Sequence, residues 1–329
     1  RVQAAQAALA NCRNTVASLP ESEPPGVCEL ARMDDIVVTP ATKLLPQTPT
    51  PLFLWRFQHD EATVYLAGTI HVLKESLYPL PQPYLDAYAA TQKLVFEVDL
   101  SRYPPAEVQQ QTMAYATLPE QSLRQSLPSD TYSQLVSAGL IYGLPVGQMQ
   151  AFKPMLAFQQ LGLLGFIAMG YDPAFGIDHY FGQLGEREAE NILQLETLDL
   201  QLKLLFNQPL DVQTAVLKQA LADVGDIEQS TSALVRAYFN GDDARLLSLI
   251  KEQADEHPLT RAFNAQLLDQ RNRGMARTIQ AYLESDQSYF VLVGAAHTVG
   301  SRGIVALLES AGFTGTRIAS NQTIPELQQ

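Results

Sequence analysis

The sequence predicts an α/β fold with a mainly parallel central sheet and two large helical insertions, and three observations predict it. Short apolar runs with the length of strands recur at Ala62 to Ala67, Lys93 to Leu100, Asn191 to Leu195, Tyr289 to Val293 and Thr316 to Ala319. Helical patterns separate them, beginning with a strand, helix, strand unit over residues 62–100. Two long helical stretches, at about 104–190 and 198–285, interrupt the series without the Gly/Ser-rich or charged linkers that mark a domain boundary.

Taken in order, residues 1–50 form a leader that is extended or partly helical. A short helical pattern from Ala4 to Leu19 is followed by Pro20, Pro24, Pro25, Pro40, Pro46, Pro49 and Pro51 in extended or loop structure. A single domain over residues 51–329 follows. Its first clear strand, Ala62 to Ala67, runs into Gly68 and Thr69 and a loop holding His71. Pro83 to Gln92 reads as a helix, and Lys93 to Leu100 alternates as a strand, with Glu97 and Asp99 two apart and therefore on one face. The first helical stretch breaks at Pro119, Pro128 and the Gly139 to Pro145 turn, and Gly176 and Asp178 open another helix. The strand ending at Glu196 leads into the second helical stretch. The final unit is the clearest: strand to Val293, loop from Gly294 to Thr298, helix from Gly303 to Ser310, last strand.

Composition bounds the function. With 46% hydrophobic and 17% charged residues the chain can bury a full core, and its longest apolar stretch, Leu161 to Met169, falls far short of the roughly 20 residues of a bilayer span. A net charge of −13 repels phosphate backbones, so nucleic acid is not an expected partner. Cys12 and Cys28 are placed to close a short disulfide loop, worth about 3 kcal/mol on the chain-entropy model. That pairing, with a chain opening at Arg1, leads us to expect a removed signal peptide and a periplasmic or secreted location.

Two of the five histidines stand in one frame, Gly68-Thr69-Ile70-His71 and Gly294-Ala295-Ala296-His297, each directly after an apolar strand. Chance alone gives about 0.3 histidines with Gly at that offset, and loops beyond the carboxyl ends of parallel strands converge on one edge of the sheet. Carboxylates Glu97 and Asp99 project toward the same edge or toward the insertions that cover the sheet, and Glu196 at the end of its strand is able to join them. Imidazole with carboxylate is a ligand set for Mn, Fe, Co or Zn. Taken singly, each carboxylate reads first as a salt bridge or a helix cap, and the paired histidines are what weaken that reading. Serine and cysteine hydrolase motifs, H-E-x-x-H and phosphate loops are absent from the sequence.

Six ordered elements carry a resemblance: Leu66-Ala67-Gly68-Thr69-Ile70-His71, Phe96-Glu97-Val98-Asp99, Gly176-Ile177-Asp178, Leu195-Glu196-Thr197, Arg271-Asn272, and Val293-Gly294-Ala295-Ala296-His297 with Gly300 and Gly303. In these the chain resembles the TraB/GumN family over about residues 50–319. The resemblance implies a metal-dependent, peptidase-like hydrolase of the TIKI-like branch, centred on the two G-x-x-H histidines and a glutamate. Wider relatives similar in fold include erythromycin-esterase-like hydrolases and haem-binding lipoproteins.

The expectation is hydrolysis of a peptide bond or of a small-molecule substrate, with a divalent ion (Mn, Co, Zn or Fe) held by His71, His297 and Glu97. Asp99 or Glu196 is expected as general base or orienting group, Arg271 on the substrate carbonyl or oxyanion, and Asn272 on a loop or substrate group. Gly68, Gly294 and Asp178 are expected to line the substrate. Two alternatives stand beside this one: a metal-independent His/Glu hydrolase, and a binding protein for a peptide signal, haem or metal.

Overall fold

The computed structural model describes residues 49–185, 192–254 and 257–325, with a short antiparallel pair formed by Arg32–Met33 and Ile36–Val37. Cys12 and Cys28, and the disulfide expected of them, lie outside the described residues.

One six-stranded sheet organises the chain. Its strands are β1 (Pro51–His59), β2 (Ala62–Thr69), β3 (Lys93–Phe96), β4 (Ile192–Gln194), β5 (Ser288–Gly294) and β6 (Gly315–Ala319), in the spatial order β4-β3-β5-β2-β1-β6. The first four in that order run parallel, whereas β1 pairs antiparallel with both β2 and β6. The sheet is thus mainly parallel, as expected, with an antiparallel flank that the sequence does not announce.

β1 precedes the first strand expected. Its proline-rich approach reads as loop, but Pro51 opens the strand, a position that needs no donated ladder hydrogen bond. Leu52, Phe53, Leu54, Trp55 and Phe57 are buried, and the turn to β2 passes through Asp60 at φ 47. A second correction concerns β3, which ends at Phe96 instead of Leu100. Glu97 and Asp99 therefore lie beyond the strand and do not share a strand face.

Every residue of β5 is buried, which in a parallel sheet means that helices cover both faces. Side chains from the helices Gln82–Ala89, Ile177–Gly185, Ile227–Phe239, Asp243–Ala254, Arg271–Leu283 and Ile304–Ser310 join the strands in one hydrophobic core. A second buried cluster lies off the sheet. Leu135, Met155 and Leu161 from the first helical stretch meet Leu202, Phe206, Leu217 and Phe263 from the second, so the two stretches share one interior. No helix among the described residues is long and apolar enough to cross a membrane.

Candidate active site

Four parallel strands end at one edge of the sheet, and each delivers one polar residue there: His71 after β2, Glu97 after β3, Glu196 after β4 and His297 after β5. Because β5 lies between β2 and β3, the last of the parallel strands in sequence brings His297 between the loops that follow the first two. Thr69 of β2 stands level with Gly294 of β5. Beyond the strands the β3–β4 pairing continues, Leu195 N–H donating to Phe96 O at 2.9 Å and Glu196 N–H to Glu97 O at 2.8 Å. That extension sets the two glutamates side by side.

His71 is fixed from the helix Ile177–Gly185. Ile177 N–H donates to Ile70 O at 3.0 Å, and a methyl group on Gly176 would lie 2.3 Å from His71 O, so only glycine allows this approach. The docking puts Asp178 against the loop, with Oδ2 accepting from His71 Nδ1 at 2.7 Å and Oδ1 from Thr69 Oγ1 at 2.8 Å. The Asp178 carboxylate raises the His71 pKa to about 9 against the lowering effect of burial. The His71 side chain is 65% exposed, so solvent screens part of that attraction.

His297 is the buried member, with its side chain 5% exposed. Asn272 donates from Nδ2 to Arg302 O at 2.8 Å, which turns its Oδ1 toward His297 Nδ1 at 2.6 Å. The proton of His297 therefore sits on Nδ1 and the lone pair on Nε2. Burial lowers the His297 pKa to about 4, the positive charges of Arg271 and His71 adding to the effect and Glu97 opposing it, so the ring is neutral at pH 7.

Arg271 holds the centre together. Its Nε donates to Glu196 Oε2 at 2.8 Å, one terminal nitrogen bonds Glu97 Oε2, and the other stands 3.2 Å from His297 Nε2. A guanidinium has no lone pair to offer, so His297 is the acceptor. Glu97 Oε1 takes the Gly294 N–H at 2.6 Å and lies 3.7 Å from His297 Nε2. Burial by itself raises the Glu97 pKa, but His297, Arg271 and His71 together with the Gly294 N–H overcome it and hold the carboxyl at about 2. Gln201 donates to both Glu97 Oε2 and Glu196 Oε2 at 3.4 Å.

Above Gly294 is a small cradle. A methyl group placed there would lie 3.2 Å from His71 Nε2, 3.4 Å from Glu97 Oε1 and 3.7 Å from His297 Cδ2. Gly68 serves packing instead, its Cα facing Ala295 and Phe53 while its carbonyl accepts from the buried Tyr238 hydroxyl at 2.7 Å. Asp99 is turned away from the centre. It caps the turn Leu100–Arg102 through Ser101 N–H and pairs with Arg102 at 2.8 Å. Thr69, Gln201 and Tyr238 are the contributors that sequence reasoning missed, because nothing in their local pattern distinguishes them from ordinary core or cap residues.

As a fit for a divalent ion, the donor chemistry is right: each imidazole has its Nδ1 held by an oxygen acceptor, which is how ligating histidines are oriented. Among the described residues, however, no three His, Cys, Asp or Glu side chains are gathered as a ready ligand group. Arg271 engages Glu97 Oε2 and His297 Nε2, two of the atoms such a group needs.

The fold and edge define a class: an α/β protein whose strand ends assemble two G-x-x-H histidines with a carboxylate pair and an arginine. A family model described as TraB/PrgY/gumN matches residues 53–317, and the chain belongs to that family. Among curated proteins it is similar to "Metalloprotease TIKI homolog" of Amphimedon queenslandica, 21% identical across 83% of this chain and 62% of that protein. It is also similar to "Metalloprotease TIKI1" of Danio rerio, 22% identical across 82% of this chain and 63% of the relative. The chain thus spans a little under two thirds of the length of these relatives. No solved structure matches it.

Proposed function

We propose that this chain is a metal-dependent hydrolase of the peptide-bond-cleaving class, with its reaction centre at the cradle above Gly294. The observation that carries the reading is the convergence of His71 Nε2 and Glu97 Oε1 on that cradle, with His297 beside it. Support also comes from the relatives, which are named metalloproteases. His71, His297 and Glu97 would hold the ion, of the Mn, Co, Zn or Fe type. Such an ion supplies Lewis acidity, polarising a carbonyl and acidifying water.

The chain's own residues do the rest. Asp178 holds the His71 Nδ1 proton and aims Nε2 at the cradle, and Asn272 does the same for the buried His297. Gly294 leaves room for a reacting group where any side chain would block it. Glu196, buried and paired with Arg271, is the group we assign to orient the guanidinium, and to Arg271 we assign the substrate carbonyl or oxyanion. Asp99 is left out of the proposal as a turn cap. The expected compartment is periplasmic or extracellular, and the substrate a peptide.

The Asp178–His71 pair favours one second reading, in which His71 takes the proton of an attacking water without a metal. Since Asp178 raises the His71 pKa to about 9, such metal-free cleavage should rise with pH toward 9. The deciding experiment measures peptide cleavage by the purified chain before and after exhaustive chelation, alongside His71→Ala and His297→Ala. Cleavage lost on chelation, restored by one of the four ions and missing from both variants is the expected result. Full cleavage after chelation moves the assignment to the metal-free hydrolase. Stoichiometric peptide capture without product would make the chain a binding protein.

A further inference from the structure

The described centre already contains a cation. Arg271 is deep in the site, its side chain 10% exposed, and it contacts both carboxylates and the one imidazole whose lone pair faces inward. Burial disfavours its charge, but Glu97 and Glu196 more than compensate and keep the guanidinium protonated. Its position depends on a backbone irregularity. The helices Pro258–Ala265 and Arg271–Leu283 are joined by a π-helical turn, Gln266–Gln270, which rotates the residues after it relative to a regular helix and ends at Arg271.

We propose that Arg271 is a built-in competitor for the metal site: its guanidinium occupies the donor atoms of Glu97 and His297 when the ion is absent and must withdraw from them when the ion binds. The inference rests on the metal-dependent reading above. Its physical basis is donor arithmetic. His297 has a single lone pair on Nε2, which faces Arg271 and cannot serve a metal and the guanidinium together. Glu97 Oε2 accepts from both Arg271 and Gln201, so of the carboxylate only Oε1, which takes the Gly294 N–H, still faces the cradle. The competitor also gives both buried carboxylates a charged partner while no metal is present, offsetting one of their two negative charges. Gln201, within 3.4 Å of both carboxylates, and Glu196 are the groups left to hold Arg271 after it withdraws. The consequence is weak, exchangeable metal binding.

The test is calorimetric titration of the metal-stripped full chain with Mn²⁺ and, separately, Zn²⁺, comparing wild type with Arg271→Met. Removing the competitor should tighten binding at least about tenfold. It should also enlarge the rise in melting temperature that the ion produces, since the apo variant carries uncompensated carboxylates. Arg302→Met is the charge control: Arg302 pairs with Asp269 at the surface and meets the site only through its backbone, so its affinity should stay within about twofold of wild type. If Arg271→Met fails to fold, the double variant R271M/E196Q removes the guanidinium together with one carboxylate it neutralises, and it too should bind more tightly than wild type. Unchanged or weaker binding in the Arg271 variants overturns the proposal, as does equal tightening by Arg302→Met. Absence of metal binding in every protein overturns it as well, while peptide cleavage by the metal-free chain would then keep the hydrolase reading alive.

Discussion

At the scale of single residues, the two histidines share a motif and little else. His297 is buried, neutral and fixed in one tautomer by Asn272, while His71 is exposed and paired with a carboxylate. Their pKa values move in opposite directions for that reason, toward about 4 and about 9. Asp178 is the cheaper of the two supports to remove, because the imidazole it orients is already solvated. Asp178→Asn should keep the fold and lower peptide cleavage about 10- to 100-fold, the usual cost of losing an orienting partner. Steady-state kinetics would check it, and an unchanged kcat/KM would remove Asp178 from the site.

At the scale of elements, strand ends and one helix start do the positioning. The G-x-x-H frame works twice because a glycine at the end of a parallel strand lets the next loop pass close over the sheet. The two glycines nevertheless differ: Gly68 is pressed against Ala295 and Phe53, whereas Gly294 borders the cradle. Gly294 has φ −52 and ψ 137, which any residue adopts, so a side chain there meets no backbone strain. Gly294→Ala should therefore melt within a few degrees of wild type while cleavage falls about tenfold or more, because the added methyl lies 3.2 Å from His71 Nε2. A variant with full cleavage would show that nothing reacts in that cradle. The helix start Gly176-Ile177-Asp178 is legible in the sequence as an element, and Asp178 is expected there to line the substrate. Its bond to His71 depends on how that helix docks on a loop far away in the chain, which local pattern does not encode.

At the scale of the whole molecule, the buried charges make stability depend on pH in windows that can be read from the shifts. His297 is depressed from 6.5 to about 4, so the unfolded chain takes up a proton first and stability falls as pH drops from 6.5 through 4. Its share is at most about 3 kcal/mol at 1.36 kcal/mol per pKa unit. Glu97, depressed from 4.5 to about 2, contributes stability that is present above 4.5 and lost as pH falls through 2. His71, raised to about 9, acts at the other end: its contribution is complete below 6.5 and lost as pH rises through 9, reduced by the exposure of its ring. Denaturant unfolding at a series of pH values should show a plateau near neutrality. His297→Asn should flatten the segment between 6.5 and 4 and move the Glu97 segment to higher pH, because His297 is one of the groups that hold that carboxyl down. An equally steep profile in the variant would mean that His297 takes up its proton in the folded state as readily as in the unfolded one.

The sequence by itself determined the α/β class, the mainly parallel sheet, the two G-x-x-H loops and the carboxylate Glu196 at the end of β4, because hydrophobic period and glycine placement are local properties. It placed Glu97 inside β3, which ends one residue earlier. It also identified the family through six ordered motifs. Only the tertiary structure decided that β5 inserts between β2 and β3, that β1 and β6 add an antiparallel flank, and that Asp99 faces Arg102. The same holds for Arg271, whose three contacts join residues from the ends of β3, β4 and β5. Strand order and the direction of a long side chain are set by which faces pack together, and no stretch of sequence taken alone contains that choice.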